Sequence, residues 1–64
     1  MQNITFISQQ GQTLAVANMD VPRAGELVFL GTTRFNVLQV AYLVNQDGTV
    51  QVKVELAPIT ALSA

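Results

Sequence analysis

The chain has no cysteine and no histidine. Without Cys no disulfide can form, and without Cys and His the common zinc sites are excluded. Charge is scarce too. Only 11% of the residues are Asp, Glu, Lys or Arg, against about 25% in typical domains. The acids are Asp20, Glu26, Asp47 and Glu55 and the bases Arg23, Arg34 and Lys53, for a net charge of −1. Three scattered bases make no positive face for nucleic acid, so that partner class is disfavoured. They make no polybasic membrane anchor either. No apolar run approaches the roughly 18 residues of a membrane-spanning helix. The start, Met1-Gln2-Asn3-Ile4-Thr5, lacks the basic and apolar regions of a signal peptide, so the expected location is cytoplasmic.

These absences bear on stability. The 64 residues form one domain at most. A domain of about 60 residues buries only about 60% of the surface its unfolded chain exposes. Small domains therefore usually add a staple, and with disulfides and zinc removed the remaining common one is self-association.

Alternation of apolar and polar residues is the pattern that is present. Asn45-Gln46-Asp47-Gly48 sits between two β-rich runs and predicts a type I turn closed by a glycine bulge. With Asn45 opposite Thr49, counting outward pairs Val44 with Val50, Tyr42 with Val52, Val40 with Val54 and Leu38 with Leu56. Every pair on that face is apolar, whereas a shift by one residue sets Tyr42, Val40 and Leu38 against Gln51, Lys53 and Glu55. Ser8-Gln9-Gln10-Gly11 predicts a similar first hairpin, with Ser8 opposite Gln12, Phe6 facing Leu14 and Ile4 facing Val16. A third strand is expected over Leu27–Leu30, and Gly31-Thr32-Thr33-Arg34 turns the chain into Phe35. Phe35 and Val37 share one parity, while Leu38, Val40 and Tyr42 share the other. A bulge near Val37 lets both sets point inward. Pro58 ends the last strand, and Ile59 and Leu62 are spaced for one helical turn or a brief closing strand. No segment has a useful helical period. The expected fold is all-β: a single domain with a small, strongly bent antiparallel sheet or barrel of about five strands.

From Val21 to Leu56 the residues Pro22-Arg23-Ala24-Gly25-Glu26, then Val28, Leu30, Gly31, Phe35, Val37 and Val40, then Val50 to Leu56, form a pattern. It resembles the small SH3-like barrels common in phage and mobile-element proteins. The resemblance implies a binding or assembly module and transfers no set of functional residues.

Function is read mainly by exclusion. Catalysis needs a titratable group held beside another. His and Cys are missing, the acids are dispersed, and neither Ser8 nor Ser63 has a base nearby in sequence. The expectation is therefore a non-enzyme without cofactor or metal. Phosphate-binding glycine loops are absent. Two regions stand out as candidate surfaces. The segment Asp20–Glu26 holds three charges, Asp20, Arg23 and Glu26, and reads either as a recognition loop or as a solvated turn. The second face of the long hairpin carries Val37, Ala41 and Leu43, and the tail adds Ile59 and Leu62. This half-apolar row is the candidate oligomer interface, because large apolar patches are uncommon on monomers. The expected partner is a second copy of the chain, as a homodimer or higher oligomer, with a host protein as a further candidate. A protein that sequesters a small molecule in a pocket at a subunit interface is the competing reading.

Overall fold

The computed structural model describes residues 2–59. Its five strands are β1 (Gln2–Ile7), β2 (Thr13–Met19), β3 (Leu27–Leu30), β4 (Thr33–Val44) and β5 (Val50–Pro58). They make one strongly curled half-barrel sheet in the order β2-β1-β5-β4-β3. All neighbours are antiparallel except β1 and β5, which run parallel. That parallel pair corrects the expectation of a wholly antiparallel sheet. Five strands that reverse direction at every connection leave the first and last pointing the same way, and here those two are adjacent.

The long hairpin has the predicted register. The Asn45 N–H donates to the Thr49 carbonyl at 2.8 Å, and Val44, Tyr42 and Val40 pair with Val50, Val52 and Val54. Gly48 has φ +92°, a region that a side chain enters only under strain. A Cβ built there meets nothing within 4 Å, so any cost of substitution is backbone strain alone. Gly48→Val is expected to lose more than about 1 kcal/mol, and Gly48→Asn less, because Asn tolerates the left-handed region. Denaturant unfolding followed by circular dichroism measures both.

The expected bulge in β4 is present. The register shifts between Val37 and Gln39, so Val37 rather than Leu38 pairs with Leu56. The extra residue, Leu38, restores the parity of Val37 and Phe35 with Val40 on the inner face. The buried core is Ile4, Phe6, Val37, Val52, Val54 and Leu56, all on the concave side. Val37 thus belongs to the core and not to an outer row, and Leu38, expected inside, is exposed.

The first hairpin departs from expectation in its second strand. The Ser8 N–H donates to the Gln12 carbonyl at 2.8 Å, as the turn residues require. The register then shifts between Phe6 and Ile7, so Phe6 pairs with Ala15 and Ile4 with Ala17. Leu14 is the extra residue. Ala15, Ala17 and Met19 pack against the core, while Val16 faces outward, 66% exposed. Large side chains from β1 fill the concave space here, and the small alanines of β2 complete it.

Candidate functional site

The seven residues from Asp20 to Glu26 join the two edge strands, β2 and β3, and do so by crossing the open side of the half-barrel. Arg23-Ala24-Gly25-Glu26 is a β-turn: the Glu26 N–H donates to the Arg23 carbonyl at 3.1 Å, and Gly25 has φ +92°. Positive φ at the third position makes it type II, which explains a glycine there. The turn is tied to the sheet, because the Gly25 N–H donates to the Val37 carbonyl at 2.8 Å and the Val37 N–H to the Glu26 carbonyl at 2.9 Å. Pro22 is buried and Val21 packs against the core.

The three charges in this loop have unequal freedom. Glu26 turns back on the loop, where its Oε1 accepts the Arg23 backbone N–H at 2.7 Å. Asp20 and Arg23 are exposed. The segment Val21-Pro22-Arg23 borders two hollows. The larger, of about 890 Å³, is lined by Phe6, Ala17, Met19, Val28 and Leu30, with Asp20, Arg23 and Glu26 also on its wall. The smaller, of about 470 Å³, lies toward Leu38, Val40 and Tyr42. Proline, valine and glycine thus give the loop a structural role, and Arg23 stands at the wall of both hollows.

The second region is the far end of the long hairpin. β1 pairs with β5 only from Val52 to Glu55. Beyond that the hairpin runs on as a two-stranded ribbon, and residues 41–51 are all exposed. Tyr42 is 60% and Val44 70% exposed, although their pairing partners are as predicted. Tyr42 therefore leaves the expected core: its register is right, but nothing covers the ribbon there. Ala41 and Leu43 lie on the other face of the same ribbon and are exposed. Ile59 is exposed just past the end of β5, with its N–H donating to the Arg34 carbonyl at 3.0 Å. Leu62 lies outside the described residues. With Val37 in the core, Val37, Ala41 and Leu43 do not form the single outward row that parity suggested. At the ribbon's tip the Asp47 carboxyl is held below the ordinary carboxylate range, first by the Thr49 backbone N–H and then by the Thr49 hydroxyl. This is a turn-stabilising contact at a fully exposed site.

Glu55, the acid nearest the middle of the sheet, accepts Gln39 Nε2 at 2.6 Å on the outer face. Among the described residues no three acids stand close enough to hold a metal ion. No helix among them is long and apolar enough to cross a membrane. No family model, curated protein or solved structure matches the chain. The residues that sequence reasoning missed are the outward Val16 of β2 and the outward Leu27 and Phe29 of β3, each more than half exposed. Val28 and Leu30 pack against the core, and Leu27 and Phe29, alternating with them, face out.

Proposed function

We propose that this chain is a non-enzymatic binding or assembly module that acts through protein–protein contacts as a homo-oligomer. The observation that carries the reading is the apolar ribbon of residues 41–51, exposed on both faces. An isolated two-stranded hairpin is marginal in water. A ribbon bearing Tyr42, Leu43, Val44 and Val50 gains stability when a partner covers it. The resemblance of Val21–Leu56 to SH3-like barrels of phage and mobile elements supports the same functional class and a source of that kind. Sedimentation at micromolar concentration tests the reading. The chain is expected to sediment as a dimer or larger. Leu43→Glu is expected to raise the monomer fraction, or to unfold the chain if association supplies its missing stability. A stable parent monomer overturns the proposal.

One observation favours the second reading, a protein that holds a small molecule. The larger hollow, about 890 Å³, falls in the range of about 300–1,000 Å³ that ligand sites occupy. Its lining comes from a single chain. Native mass spectrometry of gently purified protein decides: a stoichiometric small-molecule adduct favours this reading over assembly.

A further inference from the structure

The half-barrel does not close, so β2 has β1 on one side and no strand on the other among the described residues. In an antiparallel ladder, successive residues turn their N–H and C=O groups to opposite sides. Every second residue of β2 therefore offers a donor and an acceptor to the open side. Such an edge specifies its occupant as an extended strand. Soluble proteins usually guard a long edge with lysine, proline or inward charge. Thr13–Met19, Thr-Leu-Ala-Val-Ala-Asn-Met, has none of these. Its one irregularity, the bulge at Leu14, lies at the end near the turn and leaves Ala15–Met19 regular.

We infer that the β2 edge pairs antiparallel with the β2 edge of a second copy, across a twofold axis at Ala17. The inference rests on the reading of the chain as self-associating and names a second surface for it beside the ribbon. A twofold axis perpendicular to the sheet maps each face onto itself, so paired residues must share parity and the axis must pass through a residue. The centre of the regular stretch is Ala17. Ala17 then meets its own copy on the concave face, where its small side chain leaves the axis uncrowded. Val16 meets Asn18, and Ala15 meets Met19. No charge enters the paired stretch. The first one beyond it, Asp20, lies about 20 Å from its copy by strand rise, outside the screening length of about 8 Å at physiological salt. β3 is the weaker candidate, being four residues long.

The chain lacks cysteine, so one introduced thiol reports one contact. Residues directly opposite in an antiparallel pair have Cα atoms about 4.5–5.5 Å apart, within the range a disulfide spans. Ala17→Cys is expected to give a disulfide-linked dimer under mild oxidation, while Gln9→Cys in the exposed first turn stays unlinked. In the unmodified chain, alternate amides of Ala15–Met19 are expected to be protected from hydrogen exchange and to lose that protection on dilution to monomer. If the parent chain sediments as an oligomer but Ala17→Cys remains unlinked and those amides exchange freely, the β2 pairing is overturned and assembly through another surface stands. A parent monomer removes both. Should Ala17→Cys fail to fold, amide exchange in the parent chain decides alone.

Discussion

Phe6→Ala is expected to unfold the chain or to bring it to the edge of unfolding at room temperature. Phe6 is 1% exposed and is the largest of the fully buried side chains. It sits between Ala15 of β2 and Val54 of β5 by register, so it joins the edge of the sheet to its centre. Truncating a buried Phe to Ala costs about 3–5 kcal/mol. A chain of this length has a total stability of roughly 3–10 kcal/mol at 0.05–0.15 kcal/mol per residue. The neighbours on the β2 side, Ala15 and Ala17, are too small to fill the space. Urea unfolding followed by circular dichroism should show the loss as a lower midpoint with an unchanged slope. Leu14→Ala, at the neighbouring bulge and 39% exposed, is expected to cost distinctly less. If the two variants lose equal stability, the inside and outside of the first hairpin are misassigned.

That contrast marks where the sequence is legible. Along β5, Gln51, Lys53 and Glu55 alternate with Val52, Val54 and Leu56, so polarity names the buried face and the Asn45–Gly48 turn fixes the register independently. Along β2, Leu14, Ala15, Val16 and Ala17 are apolar without interruption. Alternation then says nothing about which set faces in, and a one-residue bulge is free to decide it. The bulge in β4 was readable because two apolar sets of opposite parity, Phe35 and Val37 against Val40 and Tyr42, demand one. Coverage is a separate matter from parity. Tyr42 and Val44 share the face of Val40, yet the ribbon outruns β1 and leaves them exposed. The candidate loop was legible as a turn from Pro22 and Gly25. Its position across the open side follows from the order of strands, which no local pattern encodes.

Val54→Asp should have an effect at least as large, with a dependence on pH that Phe6→Ala lacks. Val54 is 0% exposed, with Phe6 and Val40 directly beside it on the two flanking strands. Among the described residues, no polar or charged side chain is buried in this core, so the introduced carboxylate has no side-chain partner. An uncompensated buried charge costs about 3–5 kcal/mol, comparable with the whole stability of the chain. Burial disfavours the ionised form, so the introduced carboxyl is held above its ordinary pKa of about 3.9 in any folded molecule. Between that value and the raised one, the folded state binds the extra proton and the unfolded state does not. Stability relative to the parent chain therefore falls as the pH rises through this window, and the deficit is smallest below it. Gln51→Asp, three residues earlier on the opposite and exposed face, is expected to lose less than about 1 kcal/mol and to show no such window. Thermal unfolding of both variants and the parent from acid to neutral pH makes the comparison. A Val54→Asp variant as stable as Gln51→Asp at neutral pH would mean that β5 turns its other face to the core.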